Sequence, residues 1–313
     1  MAQRSVAEYQ GTYIGIESVF TVIDGKQINI PGMVEDLRWL ARRNELFCPC
    51  GCGANLTPVI SDKSLREQHF RIKTGHLGTG LCTAVEEGRE SIDSKIVLKC
   101  WLDDKLQTED IESRVPICEV GDTTRKYEYT FLSRSQGLGV SYCHSRTNLS
   151  DEKLDLLESN RENIKVLYFQ DAMNSNGTVQ YPEWLIKIYQ RQGYLLLLRV
   201  KDCLYKEAML RVAIIEYVDG LWHEITILED KLKEFELSEN LELLHRGKTI
   251  PELKELYIEE QWQQREKEER VLQAKLEERR LIKQIVDADM AERRRRYHEE
   301  QERKRREKER LRR

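Results

Sequence analysis

The sequence predicts an α+β protein that ends in one long helix, and three observations carry that prediction. Between Glu90 and Phe169 a helix-like run, ESIDSKIVLKCWLDDKL, precedes three short β-like segments, a second helix-like run, NLSDEKLDLLESN, and an apolar strand, IKVLYF. Those β-like segments are RVPICEV, RKYEYTFLSR and GLGVSYCHS. From Glu252 to the end the chain contains neither Gly nor Pro, so nothing in it breaks a helix.

The elements follow in order. Residues 12–30, TYIGIESVFTVIDGKQINI, alternate about Asp24-Gly25 and predict a hairpin with a two-residue turn. Pro31 opens a helix, PGMVEDLRWLARRN, at a position where its missing N–H costs nothing. Val34, Leu37, Trp39, Leu40 and Ala41 supply that helix with an apolar face. Hairpin and helix form a cap over residues 1–44. Past Phe169, Pro182 starts an amphipathic helix with Trp184, Leu185, Ile188 and Tyr189, Gly193 ends it, and YLLLLRV reads as a buried strand. KEAMLRVAIIEYVDGLWHEITIL predicts two more strands about Asp219-Gly220, with His223 on the strand surface. Residues 86–245 thus make a mixed α/β core with extra strands, and 246–313 a charged helix.

Charge is distributed unevenly. The whole chain carries 51 basic and 55 acidic residues, yet from Gln261 onward there are 19 Lys and Arg against 13 Asp and Glu. An acidic body with a basic arm confines any phosphate contact to local sites. The arm's apolar residues, Leu272, Leu276, Ile282, Val286 and Met290, are too few and irregular for a sustained heptad seam. Its middle third suits pairing with another helix. Its distal third is a solvated basic helix with Glu-to-basic pairs such as Glu300–Lys304. The N-terminus, MAQRSVAEYQ, is polar, and no run reaches the roughly 20 apolar residues of a membrane span. Scattered single cysteines fit a reduced, cytoplasmic setting better than a disulfide framework.

The strongest local chemistry lies in residues 45–85. Cys48, Cys50 and Cys52 crowd a Pro/Gly-rich turn, and His69, His76 and Cys82 follow at hairpin distance. Six N or S candidates for a four-ligand tetrahedron predict a structural zinc site. Cys48, Cys52 and His69 lead, with Cys50, His76 and Cys82 as alternatives for the fourth place. No H-E-x-x-H is present to make such a site catalytic.

The helix–strand–strand–strand–helix–strand order resembles the core of metal-dependent PD-(D/E)xK nucleases. With FCPCGC, His69-Phe70 and Glu90-Ser91, residues 45–170 resemble the CoiA-like family, bacterial proteins named for a competence protein of DNA uptake. That resemblance implies a zinc knuckle ending in HF-x-H, an ES-x-x-H-x-x-x-K helix and a restriction-endonuclease-like domain. The sequence departs from each. The second His falls on Ile72, the helix His on Ser94 and the helix Lys on Leu98. R-x-x-D on the second strand becomes Arg125 to Glu128, and E-x-Q/K on the third becomes Ser141-Tyr142-Cys143. Glu90, Glu119 and Glu128 remain as possible oxygen ligands of a vestigial site, which holds Mg²⁺ or Mn²⁺ only if it is active. The resemblance therefore predicts a DNA-processing, competence or defence protein with a degenerate nuclease core. In it DNA meets the core cleft or the basic arm, or a protein partner or second copy meets the long helix. The alternatives are an active Mg²⁺-dependent nuclease with relocated carboxylates and a helical adaptor that binds only proteins.

Overall fold

The computed structural model describes residues 4–61, 68–75, 88–108, 110–119, 126–143, 151–158, 163–172, 181–201 and 203–311. The chain is α+β and divides into two units, one up to Leu253 and one from Lys254 onward. The first opens with two hairpins, β1 (Val6–Tyr9) with β2 (Thr12–Gly15), and β3 (Phe20–Ile23) with β4 (Lys26–Asn29). The single hairpin expected over residues 12–30 is thus shorter, and a second one precedes it. Asp24 and Gly25 turn β3 into β4 with φ of 50° and 66°, the left-handed pair that a tight hairpin requires.

Helix α1 (Pro31–Arg42) begins on Pro31 and buries Val34, Leu37, Leu40 and Ala41. Trp39 is instead 50% exposed, and the Arg43 guanidinium lies over its ring at 4.5 Å. Strands β5 (Leu56–Val59) and β6 (His69–Ile72) form a third hairpin.

Helix α2 (Arg89–Leu106) is buried on every side from Ser91 to Leu102. One side of it faces the large sheet, and β3 lies against it as well. Its Trp101 packs edge-on against Phe169 and donates from Nε1 to the Phe235 carbonyl at 3.1 Å. Burial all round explains why the ESIDSKIVLKCWL run lacks a polar stripe.

The sheet has seven strands: β7 (Ile111–Glu119), β8 (Lys126–Ser133), β9 (Leu138–Cys143), β10 (Lys165–Asp171), β11 (Leu195–Arg199), β12 (Met209–Val218) and β13 (Leu221–Lys231), adjacent in that order. The β7–β8 and β8–β9 pairs are antiparallel, β9–β10 and β10–β11 parallel, and the last two antiparallel. Helix α3 (Asp151–Glu158) comes between β9 and β10, and α4 (Glu183–Gln192) between β10 and β11. A dozen or more residues are what a parallel return requires. Leu154, Leu157, Leu185 and Ile188 of these helices pack on Tyr168, Leu195 and Leu197 of one sheet face. Phe131, Val140, Phe169 and Leu196 share the other face's cluster with Trp101. The polar side of α4 ties it to α3 through Lys187–Asp151 (2.8 Å) and Arg191–Asp155 and Arg191–Glu158 (both 2.6 Å). That polar side is therefore a helix–helix brace.

A three-stranded sheet, β14 (Phe235–Leu237), β15 (Leu243–His245) and β16 (Lys248–Thr249), closes the first unit. Phe20, Leu37, Leu46, Phe70, Trp101 and Phe235 belong to one core cluster. The segments 1–44, 45–85 and 86–245 therefore share a core. Helix α5 (Ile250–Leu311) runs 62 residues. Its start is fixed by reciprocal bonds, Thr249 N to Glu252 Oε2 (2.7 Å) and Glu252 N to Thr249 Oγ1 (3.3 Å), a capping box. Among the described residues no helix is long and apolar enough to cross a membrane.

Candidate functional site

The cysteine turn converges. Gly51 N donates to the Cys48 carbonyl at 3.2 Å, and Cys48 N donates to the Ala54 carbonyl at 2.9 Å. Gly51 and Gly53 both sit at φ 76°, a conformation that side chains resist. The chain therefore curls back on itself and aims alternate residues at one point. The Sγ atoms of Cys48 and Cys50 lie 3.4 Å apart, and those of Cys48, Cys50 and Cys52 all fall within 4.8 Å of one another. None is in a disulfide, and Cys48 and Cys52 are buried. Four sulfurs about 2.3 Å from a tetrahedral zinc stand roughly 3.8 Å apart, so the three thiols fit a soft metal ion. Among the described residues this is the one group of three or more metal-ligating side chains.

Of the other zinc candidates, only His69 lies among the described residues. His69 lies buried on β6 opposite Val59 and is not a member of the group. His76 and Cys82 lie outside the described residues.

Of the expected oxygen ligands, Glu90 and Glu128 have side chains among the described residues. Glu90 is exposed in the first turn of α2. Glu119 pairs through its backbone with Lys126 at the sheet edge, and its side chain lies outside the described residues. Glu128 is half-buried and engaged by Arg114, Nη1 to Oε1 at 2.9 Å. The same guanidinium donates to Ser5 Oγ at 2.5 Å and lies 3.5 Å from Glu17, a carboxylate with no exposed surface. Among the described residues no three carboxylates form a group.

The third strand of the Glu90–Phe169 segment sends its residues to both sheet faces. The β8–β9 ladder ends at Phe131–Val140, whereas β9 continues beside β10 as far as Cys143–Gln170. Where the ladder stops, Thr130 Oγ1 accepts from Tyr142 N at 2.9 Å. Cys143 packs in the cluster of α3 and α4, with Ser141 Oγ 4.0 Å from its sulfur. Tyr142 belongs to the cluster of α2. Its hydroxyl donates to Asp171 at the end of β10 and also hydrogen-bonds Ser94 of α2. Burial, with Asp171 beside it, pushes this hydroxyl well above the usual tyrosine range. It stays neutral, and supplies neither the fixed positive charge nor the anionic ligand of a metal hydrolase. Asp171 was not among the sequence candidates. Its one sequence signal is a carboxylate directly after the apolar run IKVLYF and Gln170.

No protein-family model, no curated protein and no solved structure matches this chain.

Proposed function

We propose that this is a nucleic-acid-binding protein of the CoiA-like kind, with a zinc knuckle on a nuclease-like core that does not hydrolyse. The observation that carries this reading is the exchange at the end of β9. Where a PD-(D/E)xK core needs carboxylate and lysine, the residue facing α2 is Tyr142, held by Asp171 and Ser94. The antiparallel, antiparallel, parallel pairing of β7 through β10 supports the nuclease-like frame. The engagement of Glu128 by Arg114 supports the loss of hydrolysis.

Cys48, Cys50 and Cys52 would hold the zinc, which there would fix the conformation of the turn. The donors around Glu128 do not fit Mg²⁺, which asks for several oxygens in octahedral array, so no hydrolytic step is assigned. The DNA contact is assigned to the basic arm, where Arg293 to Arg296 form an unbroken cationic run.

Fluorescence anisotropy of the full chain with labelled single- and double-stranded DNA at 50 and 200 mM salt tests this reading. Binding that weakens about tenfold or more over that range is expected of arginines on phosphates. No binding at 50 mM would overturn the proposal in favour of a protein adaptor.

A further inference from the structure

Helix α5 exposes many large apolar side chains, Ile282 and Ile285 among them, and six of these are regularly spaced. Ile258, Trp262, Leu272, Leu276, Val286 and Met290 are between 47% and 66% exposed. They form three pairs with an internal spacing of four, and the pairs recur every fourteen residues. Fourteen residues are two heptads, so the three pairs fill every second pair of core positions of one interrupted seam. The intervening core positions hold Arg265, Glu269, Arg279 and Lys283, with Glu255 and Arg293 at the two ends.

Those charges decide how a second helix can lie on the seam. Two copies in parallel and in register would face each charged core residue with itself. Arg279 would meet Arg279, Glu269 would meet Glu269, and the same holds for Glu255, Arg265, Lys283 and Arg293. Turned antiparallel about Ala274, the same seam pairs Ile258 with Met290, Trp262 with Val286 and Leu272 with Leu276. Glu255 then meets Arg293 and Glu269 meets Arg279, which leaves Arg265 opposite Lys283 as the one like-charged layer. Moving this alignment by fourteen residues either way leaves one apolar pair without an apolar partner. The overlap from Glu255 to Arg293 is about 58 Å long. Within one helix Arg279 has Lys275 and Lys283 at four residues on either side, an unfavourable setting that an acidic partner relieves.

We infer that α5 is a self-association element, and that two copies of this chain pair through it as an antiparallel two-helix coil centred on Ala274. The interface is two-fold symmetric, so it closes as a dimer and does not extend into a filament. It brings the cationic run Arg293 to Arg296 of each helix alongside residues 252–255 at the start of the other copy's helix.

Sedimentation equilibrium of the full chain at micromolar concentrations tests the stoichiometry, and cysteine cross-linking tests the direction. The full chain is expected to sediment as a dimer, and the L272E/L276E variant as a monomer. Glu269→Arg and Arg279→Glu are each expected to weaken association about tenfold, and the double variant to recover most of the loss. Oxidative cross-linking should join Ile258→Cys chains to Met290→Cys chains in a mixture, above the background of the unaltered chain. A monomeric full chain would overturn the inference. So would a dimer that survives L272E/L276E, or Ile258→Cys chains that cross-link with one another as readily as with Met290→Cys. None of these readouts involves DNA, so the dimer and the proposed function stand or fall separately.

Discussion

Arg114 reaches across the β7–β8 ladder to Glu128, Nη1 to Oε1 at 2.9 Å, from a backbone held at φ 59°. The acid that a nuclease would need on its second strand is thereby part of a structural network. Through Ser5 and Glu17 the same arginine ties the sheet to the N-terminal hairpins.

Removing that arginine should be costly. Arg114→Met leaves Glu17 buried without its neighbouring cation and frees Glu128. Breaking one side of a buried ion pair costs about 3–5 kcal/mol, so the urea midpoint should fall well below that of the unaltered chain. Glu128→Ala, at a half-exposed position, should move it far less.

Asp110 clamps the β8–β9 hairpin. Its carboxylate accepts from Thr108 Oγ1 at 2.7 Å, Ser133 Oγ at 2.8 Å and Ser135 N at 2.7 Å. Burial acts to raise its carboxyl, but the hydrogen bonds from Ser135, Thr108 and Ser133 outweigh it and hold the group below the usual carboxylate range. A depressed folded-state pKa contributes stability above the unfolded value of about 3.9, and that contribution is lost as pH falls toward the folded value. Urea midpoints taken from pH 7 down to about pH 2.5 should therefore fall more steeply for the unaltered chain than for Asp110→Asn.

Gly139 lies under a fixed aromatic ring. A Cβ there would stand 2.7 Å from the Tyr129 ring and 3.1 Å from Ile164. The ring cannot withdraw, because the Tyr129 hydroxyl is bonded to the Leu157 carbonyl at 2.8 Å. Gly139→Ala should cost about 1–3 kcal/mol through overpacking, read as a lowered thermal midpoint.

The cysteine turn predicts a metal-dependent midpoint. Cobalt added to metal-stripped chain should give thiolate charge-transfer absorption, and Cys50→Ser should diminish it. A zinc-free, fully folded preparation with an unchanged melting temperature would remove the assignment.

Local chemistry was legible in the sequence, and parity and distance were not. Asp24-Gly25, Asp219-Gly220, Pro31 and Gly193 act on their immediate neighbours, and each does in the fold what its residue type dictates. The thiol turn was equally readable, since a five-residue segment settles it. The β1–β2 hairpin escaped because Gln10-Gly11 is a less usual turn pair than Asn-Gly or Asp-Gly. Strands of two or three residues, such as β16, are too short to show a period. Hydrophobicity alone places Trp39 on the buried face of α1, whereas its angular position sets it among the exposed residues. On β9, Cys143 turns to the side of α3 and α4 and Tyr142 to α2, an assignment of faces that alternation by itself leaves open. Arg114 and Glu17, 97 positions apart, meet only through tertiary packing.

Whether the core hydrolyses DNA is settled by incubating the full chain with plasmid and single-stranded DNA in Mg²⁺ or Mn²⁺, beside Glu128→Ala. Intact DNA is expected from both proteins at every metal concentration. Cleavage by the unaltered chain that Glu128→Ala abolishes would contradict this, and would return Glu128 to a catalytic metal site.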